Sequence, residues 1–177
     1  YRGINAVTTT DIYPIPRMDD YLDAFANATS FTTLDLKSGY FQIGMSKKDQ
    51  EKTAFTCSEG HFEFTVMPFG LKNAPADFQR LMELVLRGLN WESCLVYIDD
   101  IIVFGSNVNT HLERLEKVFQ ALKSANLKLK PSKCKLFKQN VEFLGHIIST
   151  DGIQPDPAKT SSARYKFAKK CQTATTL

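Results

Sequence analysis

The stretch Cys94-Leu95-Val96-Tyr97-Ile98-Asp99-Asp100-Ile101-Ile102-Val103-Phe104 decides how the chain is read. Two short runs of β-forming residues, 94–97 and 101–104, flank Ile98-Asp99-Asp100, a spacing that permits a tight antiparallel hairpin with carboxylates at its tip. Taken alone, the Asp pair is a weak signal. Asp19-Asp20 in the same chain is adequately explained as charge in the first turn of a helix, and turn-favouring residues would by themselves account for Asp99-Asp100. An exposed turn, however, gives no reason for the aromatic and apolar Tyr97-Ile98 just before it.

Working outward, Phe31-Thr32-Thr33-Leu34-Asp35-Leu36 has the composition and length of a strand, and Ser38-Gly39 breaks the run, so Asp35 lies at a strand end. Adjacent antiparallel strands could bring Asp35 and Asp99 together around hard cations. Mg2+ takes one or two carboxylates plus phosphate oxygens and waters, and two such ions ~4 Å apart can stabilise both the attacking and leaving oxygens of phosphoryl transfer. Because neighbouring side chains in a strand point to opposite faces, Asp99 and Asp100 cannot be equivalent ligands unless the turn redirects one. Asp99 is the stronger candidate.

Elsewhere, Pro16 opens a helical pattern carried by Met18, Tyr21, Leu22 and Phe25 that runs to about Ala28. Residues 53–57 and 61–66 read as a hairpin around Gly60, and Pro68 and Gly70 mark an irregular turn. From Pro75, the residues Phe78, Leu81, Met82, Val85 and Leu86 form one apolar stripe, closed by Gly88 as a C-cap. Thr110-His111-Leu112-Glu113 matches a capping box, starting a helix with Leu112, Leu115, Phe119 and Leu122 on one face. Short strands follow at 141–144 and 146–148. Hairpins interleaved irregularly with helices favour an α+β architecture over a doubly wound sheet.

With 177 residues and 43% hydrophobic content the chain can bury one substantial core. The net charge of +3 is small, but the segment from Ala121 to Asn140 holds six lysines and no acid. Lys128 and Lys130 alternate with Leu127 and Leu129, so one face of an extended segment could be basic while the other packs, although such runs are usually solvated surface. Cys57, Cys94, Cys134 and Cys171 show neither zinc-ligand spacing nor a disulfide framework, which fits a reducing intracellular setting. No membrane span or signal peptide is read.

Five blocks in order resemble the reverse transcriptases of gypsy-like LTR retrotransposons, over roughly residues 1 to 157. They are 31–40, with Asp35 and Tyr40; 67–75, Met-Pro-Phe-Gly-Leu-Lys-Asn-Ala-Pro; the Tyr97-Ile98-Asp99-Asp100 hairpin; 129–134, with Lys133; and Phe143-Leu144-Gly145-His146. The resemblance implies a right-hand polymerase palm with part of the fingers over residues 1–149, followed by a truncated connection and divergent tail over 150–177. It also implies that Asp35 and Asp99, assisted by Asp100, hold two Mg2+ ions, with Mn2+ a possible substitute.

The same resemblance assigns Lys133 as general acid toward the leaving pyrophosphate, Tyr40 as the steric gate against a 2′-hydroxyl, and Leu36, Ser38, Gly39 and Phe69 to the nucleotide. Arg2, Gly70, Lys72, Pro75, Tyr97 and the 143–146 hairpin would face template or primer. For Tyr40 the plain alternative is a core aromatic, and for Lys133 a solvated lysine. His146 has no partner at metal-ligand spacing. The implied partners are an RNA or DNA template with its primer and deoxynucleoside triphosphates, without a membrane. RNase H and integrase regions are expected in the full polyprotein. The implied setting is cytoplasmic, in virus-like particles, with possible nuclear entry.

Two departures stand against full activity. The fingers cations that the family carries ahead of Tyr1 are not in this sequence, and the residues after Asp156-Pro157 do not follow the family pattern. The alternative is an inactive polymerase-like fragment that retains nucleic-acid or protein binding. A metal-dependent nuclease would use similar carboxylates but has no need of Tyr40.

Overall fold

Strand β5, Asp100–Gly105, is apolar from Ile101 to Phe104 because it is buried on both faces, as a central strand must be. It lies between β4, Cys94–Tyr97, and β1, Ser30–Asp35, and all of these pairings are antiparallel. Strand β6, Lys135–Lys138, completes the order β4-β5-β1-β6. The computed structural model describes residues 1–14, 16, 23–25, 27–150 and 152–157. Most of the helix expected from Pro16 to Ala28 lies outside the described residues; within it, Asp23–Phe25 forms a 3-10 turn.

The alternation along the strands sorts two cores. Leu34, Val96, Ile101 and Val103 pack with Phe78, Met82 and Leu86 and with Leu115, Val118 and Leu122. The first three of these belong to helix Ala74–Val85 and the turn after it; the last three belong to helix Val108–Ser124. Phe31, Leu95, Ile102 and Phe104 face the other way, onto Phe25, Val141, Phe143 and Ile148. That second layer is the three-stranded meander of β7, Asn140–Phe143, β8, His146–Ser149, and β9, Gly152–Pro155. The meander runs through residue 149, where the sequence suggested a boundary. Numbered in chain order, the helices are α1, Arg2–Val7, α2, Lys47–Gln50, α3, Ala74–Val85, and α4, Val108–Ser124. A separate hairpin pairs β2, Phe55–Cys57, with β3, Gly60–Phe62.

Two helical details differ from expectation. Helix α4 is capped by Asn107, whose side chain accepts from Thr110 N–H at 2.9 Å, so Thr110 lies inside the helix and forms no capping box. Its inward face is His111, Leu115, Val118 and Leu122, while Leu112 and Phe119 are exposed. The helical period carries Leu112 and Phe119 about one residue past that face. Helix α3 ends at Val85, ahead of Gly88, which takes φ +80 in the following turn. Among the described residues no helix is long and apolar enough to cross a membrane.

Candidate active site

β1 ends on Asp35, and the β1–β5 register sets Asp35 directly opposite Asp100. Directly opposed side chains in antiparallel strands have Cβ atoms about 4.5–5.5 Å apart, and like charges so placed repel. Tyr97 pairs with Asp100, leaving only Ile98 and Asp99 as the hairpin loop. Asp100 is therefore a strand residue and not part of the tip. Ile98 takes φ +54, the left-handed region that a two-residue loop demands and a β-branched residue disfavours. Its N–H donates to Gln79 Oε1 at 2.6 Å.

The third edge of the site comes from the segment after α4. Lys37 N–H donates to Lys128 O at 2.8 Å and Lys130 N–H to Asp35 O at 2.9 Å, so this segment runs beside the end of β1. A 3-10 turn, Pro131–Lys133, follows and delivers Lys133 Nζ to 3.0 Å from Asp35 Oδ2. The hydrogen bond to Asp35 raises the ammonium's pKa above its usual value, and the charges of Asp99 and Asp100 add to the shift.

The negative potential of all three carboxylates thus reaches the Lys133 ammonium, which is paired with Asp35. This donor set suits a hard divalent ion. Among the described residues no three acidic, His or Cys side chains already stand in a ligating cluster. Lys133 is the cation that the structure pairs with Asp35.

Asp99 also lies against Gly39. A Cβ added there would come within 3.2 Å of Asp99 Oδ2 and 3.3 Å of its Cβ, so the absent side chain lets the hairpin tip approach the loop after β1. Ser38 turns that loop with φ +56 and leads into a 3-10 turn, Gly39–Gln42. Tyr40 is half-buried, its ring centroid 5.1 Å from Phe69 and 5.4 Å from Phe78. Burial raises its phenol pKa, and the neighbouring Asp99 raises it further. Phe69 is exposed and meets Phe41 edge-on at 5.1 Å. Asp35, Asp99, Asp100, Lys133, Gly39, Tyr40 and Phe69 therefore form one continuous site. Leu36 lies next to it, but its side chain is buried in the core, which leaves only backbone to offer a nucleotide.

The residues assigned to template and primer fall in other places. Asn5 ties α1 to the 67–75 segment, donating to Gly70 O at 2.8 Å and accepting from Lys72 N–H at 2.9 Å. The Lys72 ammonium donates to Thr8 O at 3.0 Å, and Gly70 takes φ +90. Ile4, Asn5, Thr8, Met45 and Lys72 help line a cavity of about 610 Å3. Arg2 is exposed on α1, and Pro75 sits in the first turn of α3. Tyr97 packs on the second core.

The 143–146 hairpin turns through Leu144 and Gly145, with φ +49 and +80, as a type I′ turn requires. His146 Nδ1 lies 3.2 Å from Leu144 O, and Asp156 N–H donates to Gly145 O at 3.0 Å. Phe143 is buried beneath the sheet, which removes its side chain from any primer contact. Two residues that sequence reasoning did not single out are Gln79 and His111, both fully buried. Each is a polar residue on the inward face of an otherwise apolar helix, which is the signal that could have found them.

An antiparallel sheet that carries strand-end carboxylates, backed on one face by helices, defines the palm of a right-hand polymerase. The chain belongs to the reverse transcriptase (RNA-dependent DNA polymerase) family, whose pattern matches residues 1–148. It is 48% identical over 162 residues to the Pol polyprotein of transposon 297 and 42% identical over 162 residues to that of transposon gypsy, both from Drosophila melanogaster. Each match covers 92% of this chain but only 15% and 16% of the respective polyproteins. Among solved structures, it resembles the foamy viral protease-reverse transcriptase in complex with double-stranded DNA, with a TM-score of 0.83, 27% identity, and coverage of 92% of this chain and 28% of the other. The same viral protein in complex with an RNA/DNA hybrid gives 0.82 at 27% identity, covering 93% and 22%.

Proposed function

We propose that this chain is the catalytic segment of an RNA-directed DNA polymerase within a retrotransposon polyprotein. It would transfer deoxynucleotides to a primer 3′-hydroxyl on an RNA or DNA template. The observation that carries this reading is Asp35 facing Asp100 across β1 and β5, with Asp99 at the adjoining tip and a cation held among them.

Asp35 and Asp99 would hold two Mg2+ ions, with Asp100 assisting; bound there, the ions supply charge stabilisation at the attacking and leaving oxygens. The chain's own groups do the rest. Strands β1 and β5 fix Asp35 and Asp100 on rigid backbone, and the tight loop between β4 and β5 carries Asp99, which would keep the catalytic geometry preorganised. Lys133, whose hydrogen bond to Asp35 favours the protonated form, would give its proton to the departing pyrophosphate. Tyr40, packed against Phe69 and Phe78, would set its ring beneath the C2′ of an incoming deoxyribose, where the 2′-hydroxyl of a ribose would clash. The loop over Ser38 and Gly39 would offer its backbone N–H groups to the triphosphate. Arg2, Lys72 and the hairpin around Gly145 and His146 would position template and primer through backbone phosphates.

That the viral neighbours were captured with double-stranded DNA and with an RNA/DNA hybrid supports the same class of partner here. Residues 1–149, with β9 paired onto β8, would form the polymerase unit, and the setting would be a cytoplasmic virus-like particle. The test is extension of a labelled primer on RNA and on DNA templates with separate deoxynucleotides. Elongation supports the reading, whereas degradation or simple binding without elongation opposes it.

A further inference from the structure

We propose that Gln79 is the positioning residue of the carboxylate hairpin, its side-chain amide holding Ile98 in left-handed backbone and thereby aiming Asp99. The inference rests on the polymerase reading for its consequence, but its geometry stands independently. Gln79 is fully buried on α3 between Phe78 and Met82, both themselves fully buried. A buried amide survives in such surroundings only if its hydrogen bonds are made.

Two of the hydrogen bonds of the Gln79 amide go to the hairpin. Oε1 accepts from Ile98 N–H at 2.6 Å, while Nε2 donates to Val96 O at 3.2 Å. The amide therefore grips the strand end on both sides of Tyr97, just ahead of Asp99. Nε2 also donates to Glu83 Oε1 at 2.8 Å, one helical turn along α3, and Tyr13 donates its hydroxyl to Glu83 Oε2 at 2.5 Å. Because both the Val96 carbonyl and the Glu83 carboxylate need a donor, the amide has one orientation, and its oxygen must face Ile98.

The hairpin needs such a hold. Ile98 sits at φ +54, where a β-branched residue is strained and where glycine or asparagine is the ordinary choice. Strained backbone at a functional site persists only when its surroundings over-determine it. The Gln79 bond falls on the strained residue itself, and Asp99 is the next residue in the chain. Loss of the bond would free the loop to relax and carry the Asp99 carboxylate away from Gly39.

The test uses the full chain and four variants, with thermal melting to show that each is folded. Hydrogen exchange at the Ile98 amide should be slow in the parent and should rise toward that of an open loop in Gln79→Met, a substitution of similar shape that removes every bond. Half-saturation with Mn2+ should shift upward by roughly 10–100-fold, as for other residues that orient metal ligands. In an Ile98→Gly background, where left-handed backbone needs no holding, the same Gln79→Met change should shift Mn2+ binding far less.

Should Gln79→Met fail to fold, the exchange Gln79→Glu with Glu83→Gln decides the matter. It keeps an acceptor beneath Ile98 and a donor at position 83, and should retain slow exchange at Ile98. Equal exchange in parent and folded Gln79→Met, an equal Mn2+ shift in both backgrounds, or fast exchange in the folded double variant would each overturn the inference. A parent that binds Mn2+ in this way but never extends a primer would instead sink the polymerase reading and leave the positioning role standing.

Discussion

Lys133 Nζ and Asp35 Oδ2 lie 3.0 Å apart, joining the segment after α4 to the last residue of β1. The ammonium occupies the region that a divalent ion would share with the carboxylates, so it is both their counter-ion and a competitor for Asp35. Lys133→Met should therefore bind Mg2+ or Mn2+ modestly tighter, because the pair is solvent-exposed and weak. Its extension rate should nevertheless fall by roughly 10²–10⁴-fold if the lysine serves as general acid. Titration of metal binding beside single-turnover extension separates the two effects. Unchanged rate with tighter binding would leave Lys133 a counter-ion only.

Tyr40 has both a packing role, on Phe78, and an exposed flank shared with Phe69. Tyr40→Val should lower discrimination against ribonucleotides by roughly 10–200-fold, the range that removal of small steric elements from a pocket commands. The check is the ratio of kcat/KM for a deoxynucleotide and its ribonucleotide counterpart. If the ratio does not move, the ring is core packing and the gate lies elsewhere.

His111 pins α4 to the catalytic strand. Its Nδ1 lies 2.8 Å from Ser30 Oγ and 3.1 Å from Ser30 O, and its Nε2 lies 2.8 Å from Thr32 Oγ1, all on β1. Burial lowers its pKa from the ordinary 6.5. As pH falls, the unfolded chain takes up the imidazole proton before the folded one does, so this contribution to stability is complete above about pH 6.5 and is lost progressively below it. Denaturant midpoints at pH 7.5 and 5 should differ more for the parent than for His111→Gln.

Gly105 is the close neighbour of that histidine. An added Cβ would stand 2.7 Å from His111 Cβ and 2.8 Å from its Cα, atoms of a helix that cannot retreat alone. Gly105→Ala should cost about 1–3 kcal/mol by overpacking. A midpoint equal to the parent's would show that α4 can shift without penalty.

How far the sequence could be read follows from what kind of signal each element leaves. The 94–104 hairpin and the strand before Asp35 were legible because apolar runs bounded by polar breaks are local features, and β1, β4 and β5 fall within a residue or two of expectation. That Asp100 is a strand residue facing Asp35 depends on register, which no local pattern states. Helix α4 was found but its inward face was misjudged, because His111 was not counted as a core residue while exposed Leu112 and Phe119 were. β6 was missed: its Lys-Leu-Phe-Lys pattern reads as surface, and its strand character comes from pairing with β1. Gln79 and His111 act through partners 19 and 81 residues away in the chain, so only the fold brings their roles into view.

The central claim is that Asp35 and Asp99 hold the catalytic ions, and it is met most directly by single-turnover primer extension in Mg2+ with Asp35→Asn and Asp99→Asn. Each change removes a charge at almost no steric cost, and primer–template affinity serves as the control. Both variants should lose extension while binding the duplex as the parent does. Extension at the parent's rate by either one would contradict the assignment.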